Sequence, residues 1–269
     1  MRRPIATLLL LGSALFITGC FQSTVRVVVK ADGSGTIAVS QTFDNETIDY
    51  LRGDLPREQA IAQLFSSERL KQLGQTYGQD LTVLGQKASQ KDHGAGYLAI
   101  YQFSDINQVQ IPLGKTGEAI RFNRKNNTLT VQMPDLNKAT ADSGNPPASL
   151  SRGQRKDAVE NLIAQLRKNN NPYKLTGRES LADIGSRMLG SLQATVELDL
   201  PAGTDVSSAS HKNASKPHRV NLVKVDGKVL ADDGRALEGL LAPSTNAKAM
   251  LTAPGVTLEA KPRIQFKLP

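Results

Sequence analysis

The chain of 269 residues has a single cysteine, Cys20, which stands directly after an N-terminal apolar segment and constrains what the rest can become. Two arginines precede an apolar run over 5–17, and Gly19 places a small residue before the cysteine. A basic start, a short apolar stretch and a small-residue cleavage site define a secretory signal peptide. The run is shorter than the roughly 20 residues that a membrane-spanning helix needs. We therefore expect residues 1–19 to be removed on export, leaving a fold without internal disulfides.

The tetrapeptide Ile17-Thr18-Gly19-Cys20 resembles the bacterial lipobox, although Ile17 replaces the usual Leu. The resemblance implies cleavage between Gly19 and Cys20, a diacylglyceryl group on the Cys20 thiol and acylation of the new amine. The alternative is an ordinary secretory signal with an accidental cysteine. The lack of any other cysteine disfavours that alternative, because the one thiol stands where lipidation needs it. We predict a lipid anchor at Cys20, with the membrane as a partner.

The residue after the cysteine bears on which membrane holds the protein. In Gram-negative bacteria an Asp there tends to retain a lipoprotein in the inner membrane, so Phe21 favours the outer membrane, facing the periplasm. This expectation assumes an organism with that sorting system. Three residues separate Cys20 from the first predicted strand, which gives roughly 10–14 Å of reach. We expect the folded body to lie close to the membrane of the cell envelope.

Composition limits the function classes. The mature chain, 20–269, is long enough for one large domain or two small ones. Removal of the two signal arginines leaves 31 basic and 25 acidic residues, a formal net charge of +6. This charge favours a basic domain that lies beside anionic lipid. The basic residues are scattered, Trp is absent, and there are only 7 Phe and 5 Tyr, so we expect no nucleic-acid partner.

Apolar periodicity predicts the elements. Alternating valines and an Asp-Gly-Ser-Gly turn predict a β-hairpin over 24–43. A helical stretch over 45–77 is broken at 53–56. The remaining strands are expected over 81–84, 94–103, 109–113, 120–133 (a second hairpin), 192–200, 219–225 and 264–268. Further helical segments are expected over 152–168, 179–189 and 236–241, and a turn at 226–227.

These elements indicate an α+β fold, with an antiparallel β-sheet and packed amphipathic helices, because strands and helices alternate without regular βαβ spacing. We expect a single domain over 20–269. The polar stretch 134–152, with a Gly-Asn-Pro-Pro centre, is a flexible loop or the boundary if there are two domains.

Three segments resemble a known family. The opening 24–36, the segment around Tyr101-Gln102-Phe103-Ser104-Asp105-Ile106-Asn107 and, less specifically, the tail 254–259 are similar to LppM-like bacterial lipoproteins of unassigned function or to hypothetical proteins of environmental bacteria. The resemblance implies an envelope-facing α+β domain, one that meets lipids. It transfers no catalytic residue.

Candidate metal and phosphate sites are weak. The three histidines, His93, His211 and His218, stand in polar segments, and lysines and an arginine surround the last two, so we expect no zinc site. The carboxylates near glycines at 226–233 do not have calcium-loop spacing and are better explained as turn residues. The Asp-Gly-Ser-Gly segment at 32–35 lies between two strands, which excludes a phosphate loop. We expect no cofactor and no metal.

Asp105 is the carboxylate with the most unusual setting, directly after an apolar strand. Turn chemistry through its own backbone explains it without a functional role.

The sequence therefore favours a non-enzymatic binding or assembly module with a protein or lipid partner. The alternative is an envelope hydrolase whose acid and base are not adjacent in sequence. A structural role in the cell wall is a third option, without a recognisable peptidoglycan-binding motif.

Overall fold

The structure is a computed structural model, and it describes residues 21–52, 55–91, 94–113, 118–135, 183, 190–232 and 252–269. Its strands are β1 Phe21–Val29, β2 Gly35–Asp44, β3 Thr82–Lys91, β4 Gly94–Phe103, β5 Gln110–Pro112, β6 Ala119–Lys125, β7 Thr128–Gln132, β8 Gln193–Asp199, β9 Arg219–Asp226, β10 Val256–Leu258 and β11 Arg263–Lys267. Its helices are α1 Asn45–Arg52, α2 Arg57–Leu64, α3 Ser67–Tyr77 and α4 Gly227–Asp232, with a 3₁₀ turn over Ile106–Gln108.

The larger sheet has seven strands in the order β10-β9-β8-β1-β2-β4-β3. All neighbours are antiparallel except β1 and β8, which run parallel with Val25 opposite Val196. The predicted hairpin is confirmed, with Val25 opposite Val39. Alternate valines of β1 are buried, as expected for a sheet that packs one face on a core.

The smaller sheet has four antiparallel strands in the order β11-β7-β6-β5. The second predicted hairpin forms its centre, with Phe122 opposite Val131. The predicted final strand pairs with β7, and places Phe266 opposite Leu129. Buried side chains from both sheets belong to one hydrophobic cluster.

The three consecutive helices pack along β4. The predicted break at 53–56 separates α1 from α2, and a second break that the pattern did not predict separates α2 from α3. Ser66 explains the second break, since its hydroxyl accepts a 3.3 Å hydrogen bond from the Arg69 backbone N–H and caps α3. Leu70, Gly74 and Tyr77 are buried on the sheet-facing side of α3.

The predicted fold class is correct in part. The sheets are predominantly antiparallel, but the described residues are richer in strand than an α+β fold with packed amphipathic helices implies.

The predicted turn at 226–227 was wrong, because Gly227 begins α4 and the Asp226 carboxylate accepts a hydrogen bond from the Lys228 backbone N–H at 3.1 Å. The strand predicted over 81–84 extends to Lys91.

Several predicted elements fall outside the described residues. These are the helices over 152–168, 179–189 (apart from 183) and 236–241, and nearly all of the loop over 134–152. Within the described part of the chain, no helix has the length and apolar character needed to cross a membrane.

Candidate functional site

The residues predicted for lipidation and cleavage, Cys20 and Gly19, lie outside the described residues, as does His93. Phe21, the residue after Cys20, opens β1 and pairs with Phe43. The first strand therefore begins immediately after the predicted lipid attachment point. The linker of three residues expected from the sequence is part of the strand itself.

The described histidines do not converge on a metal site. His211 Nε2 lies 3.0 Å from the Leu258 carbonyl oxygen, which fixes the ring to the strand β10. The side chain of His218 has a buried Nδ1 without a hydrogen-bond partner in the structure. Among the described residues, no group of three or more His, Cys, Asp or Glu side chains is placed to hold a metal ion.

Asp105 has a structural role. Its carboxylate accepts a 2.9 Å hydrogen bond from the Asn107 backbone N–H and caps the 3₁₀ turn, as turn chemistry predicted. The Ile106 N–H donates to the Gly33 carbonyl at 3.0 Å, and the Arg124 N–H donates to Asn107 Oδ1 at 2.6 Å. This short segment therefore joins the β1–β2 turn of the larger sheet to β6 of the smaller one.

A row of alternating charges crosses the larger sheet. Arg26 on β1 bonds Glu197 on β8 at 2.9 Å, and Arg219 on β9 lies 3.2 Å from the same carboxylate oxygen. Arg219 also forms a two-bond pair with Asp199, at 2.5 and 2.7 Å. That hydrogen-bonded pair raises the pKa of Arg219. The row is neutral in sum and is satisfied internally, so it stabilises strand pairing and leaves no spare charge for a ligand.

Glu259 is a buried carboxylate outside that row, and it organises a loop. Burial alone would raise its pKa, but hydrogen bonds from Ser210 and from the backbone N–H groups of Ser210, Lys261 and His211 outweigh burial and lower it. The Ser210 N–H lies 2.8 Å from one carboxylate oxygen. Glu259 therefore pins the loop after β8 onto the end of β10, and its hydrogen-bonding capacity is already used.

A concave site lies between α3 and β3. It is a cleft of about 510 Å³. Its lining residues are Lys71, Gly74, Gln75, Gly78, Gln79, Asp80, Leu81, Val83 and Tyr101. The floor is the Tyr101 ring and the rim is polar. Lys71 and Asp80 supply one positive and one negative charge, and neither a histidine nor a second carboxylate lines the cleft among the described residues.

The cleft floor is held by a cluster of tyrosines. The Tyr101 hydroxyl donates a 2.6 Å hydrogen bond to the Leu70 carbonyl of α3. Burial raises the pKa of Tyr101 and of Tyr77, whose rings lie 6.3 Å apart, and also that of Tyr97. These phenols are neutral at physiological pH. Their rings act as packing surfaces, the Tyr101 hydroxyl also donates a hydrogen bond, and their raised pKa values are wrong for a general base near neutrality.

Beside the cleft, β3 forms one edge of the larger sheet. The side chains over 82–90 are exposed on both faces, and within the described ranges no strand pairs with the outer edge of β3. A register shift between Val83 and Gly85 marks a bulge at Leu84. Val83 is 37% exposed, Leu84 55% and the neighbouring Leu98 of β4 40%. A bulged strand edge, apolar at Val83 and Leu84 and polar beyond them, therefore begins beside the cleft.

No local pattern in the sequence predicts this site. A strand exposed on both faces carries no apolar alternation, so only its first residues gave a strand signal. The polar stretch Gln86-Lys87-Ala88-Ser89-Gln90 resembles a loop by composition. The sequence offers one signal for a longer strand. The polar stretch after Leu84 continues to the start of β4 without a proline, and proline would interrupt a strand.

A comparison of the chain with protein-family models finds no match. Comparisons with curated proteins and with solved structures find no significant similarity either. The resemblance to LppM-like lipoproteins therefore stays a prediction from short sequence segments.

Proposed function

We propose that this protein is a lipid-anchored lipoprotein of the cell envelope that binds an extended segment of a partner protein at the outer edge of β3. The observation that carries the proposal is the combination of an exposed edge strand with an adjoining cleft. The proposed role is binding, because the described residues of the cleft supply packing surface and hydrogen-bonding groups.

The chemistry of the edge favours a polypeptide strand as the ligand. An edge strand offers a row of backbone N–H and C=O groups that a second strand can satisfy in register. An acyl chain has no group that could pair with them. The regular part of the edge begins at Gly85, beyond the bulge, and continues to Lys91. Seven residues of ladder suit a short extended segment.

The cleft adds side-chain specificity. Val83 lies opposite Tyr101 in the β3–β4 register, so both side chains point to the face that α3 covers. A strand added outside β3 would direct alternate side chains to that same face, beside the cleft. We expect the partner to place an apolar side chain there, with a polar neighbour within reach of Lys71 or Asp80.

The same edge is protected against pairing with its own copies. Bulges and lysine side chains on an edge strand disfavour its pairing with the same edge of another copy. β3 has both, the bulge at Leu84 and the exposed Lys87. Pairing is therefore limited to a segment that tolerates the bulge, which supports a specific partner over self-association.

The anchor has its own test. Growth with an alkyne-bearing fatty acid, followed by coupling to a reporter, should label the wild-type protein and leave Cys20→Ala unlabelled. Equal labelling of both would contradict lipidation at Cys20, whatever the β3 edge does.

The docking edge is tested with random peptides displayed on phage and selected on the mature chain, 20–269, carrying Cys20→Ala. Selected peptides should lose at least about tenfold in affinity for Leu84→Asp, which corresponds to 1.4 kcal/mol. Val229→Asp is the matched control, because Val229 is 45% exposed and lies on α4, away from the edge. Equal affinity for both variants would overturn the assignment of the edge.

A further inference from the structure

The strand register fixes which end of the larger sheet carries the predicted anchor. Phe21, next to Cys20, pairs with Phe43, the penultimate residue of β2, and Gln22 pairs with Gln193 at the start of β8. Gln193 in turn lies opposite Asp226 at the end of β9. One end of the sheet is therefore formed by the start of β1 and β8 and by the end of β2 and β9; it is termed here the anchored end.

Two short elements extend from this anchored end. α1 follows β2 without a gap, and the Asp44 carboxylate accepts a 2.7 Å hydrogen bond from the Thr47 N–H. α4 follows β9 without a gap, and its first N–H, from Gly227, donates to the Leu192 carbonyl at 2.7 Å. Both elements therefore begin at the anchored end, on either side of β1.

Exposed apolar side chains occur on or beside both elements. Of the five large apolar side chains that are exposed in the described part of the chain, three belong to β3 and β4. The other two are Val229 on α4, 45% exposed, and Leu55, 37% exposed, between α1 and α2. Leu55 stays close to the anchored end because Arg57, two residues later, hydrogen-bonds the side chain of Asn45, the first residue of α1.

We propose that the anchored end of the larger sheet is a membrane-facing surface, on which Val229 and Leu55 enter the lipid interface. The proposal rests on the lipid anchor proposed at Cys20. The lipid bilayer is the ligand of this surface. Acyl chains on Cys20, one residue before β1, would hold this end of the sheet at the bilayer. The acyl chains supply the affinity, and the two apolar side chains fix the orientation.

This orientation determines how far the cleft beside the outer edge of β3 lies from the membrane. Tyr101 in the cleft floor is opposite Ile37, which is opposite Val27, six residues along β1 from Phe21. At about 3.3 Å per residue, the cleft lies roughly 20 Å from the anchored end. β3 runs toward the membrane, with its bulge and cleft at the far side, where a partner in the aqueous phase reaches them.

The test uses the lipidated protein in phosphatidylcholine vesicles with spin labels on Val229→Cys, Leu55→Cys and the control Ala202→Cys. Ala202 is exposed in the turn after β8, at the opposite end of the sheet. Labels at Val229 and Leu55 should collide more with lipid-soluble oxygen than with a water-soluble nickel complex, and the label at Ala202 should show the reverse.

Two results would overturn the proposal, and they differ from each other. Protein that floats with the vesicles but whose three labels are equally aqueous would refute the membrane-facing surface and leave the anchor intact. Protein that does not float, and that carries no added lipid mass, would refute the anchor and the surface together. Thermal melting of each labelled variant close to that of wild type confirms that the fold is intact.

Discussion

The Tyr101 hydroxyl donates a 2.6 Å hydrogen bond to the Leu70 carbonyl and ties α3 to β4 at the floor of the cleft. The contact requires a close approach of helix and sheet. Gly74 provides it, because a Cβ built on Gly74 would lie 2.6 Å from Tyr101 Cε1. The shape of the cleft thus depends on a glycine in a helix and on a tyrosine in the neighbouring strand.

Gly74→Ala should destabilise the protein by about 1–2 kcal/mol, since overpacking of a held aromatic ring outweighs the gain in helix propensity. The measurement is urea unfolding at equilibrium. Gly85→Ala is the matched control on β3, because a Cβ there meets nothing within 4 Å. A Gly74→Ala variant as stable as Gly85→Ala would show that the ring is free to move.

Gly33→Ala should lose more stability than Gly203→Ala. Both glycines have a left-handed φ, +86° and +88°, so both substitutions carry a similar backbone cost of about 1–2 kcal/mol. Only at Gly33 would the new Cβ also meet a side chain, 2.8 Å from Arg124 Cδ, in the joint between the sheets. The difference between the two variants in thermal unfolding measures that contact. Equal losses would mean that Arg124 contributes little to the joint.

Removal of Arg219 should cost more than removal of Arg26, although both belong to the row of charges. The Arg219 side chain is 13% exposed and bonds two carboxylates, so Arg219→Ala leaves both without that partner and should cost about 2 kcal/mol. The Arg26 side chain is 39% exposed with one such bond, and Arg26→Ala should cost less than about 1 kcal/mol. Chemical denaturation of the two variants distinguishes these values, and the reverse order would refute the role given to Arg219.

Glu259→Gln should lower the stability at neutral pH and flatten its dependence on acid. The folded-state pKa of Glu259 lies below its ordinary value of 4.5, so the carboxylate stabilises the fold above that value and the contribution is lost as pH falls through the lower, folded-state pKa. The free energy of unfolding, measured from about pH 7 to about pH 3, should therefore converge for wild type and variant on the acidic side. A constant difference across the series would assign the effect to packing alone.

The sequence predicted those elements whose side chains alternate between a core and solvent. The hairpin of β1 and β2 is the clearest example, because its valines recur at every second position and glycines form its turn. The strand predicted over 94–103 is confirmed as β4, which pairs with β2 on one side and β3 on the other. These signals are local and depend only on the strand period.

The site was not predictable in the same way. The parallel pairing of β1 with β8 joins residues about 170 positions apart, such as Val25 and Val196, and no local pattern encodes it. The outer part of β3 has polar side chains on both faces, so its strand state comes from backbone pairing with β4. The cleft combines α3, β3 and β4, and exists only after they pack.

The central claim, that the outer edge of β3 receives an extended partner segment, is tested most directly by amide hydrogen exchange with a selected peptide bound. We predict slower exchange over 85–91, where the edge amides gain partners, with little change in β1 and β8 at the centre of the sheet. Slower exchange elsewhere, with 85–91 exchanging as fast as in the free protein, would contradict the claim.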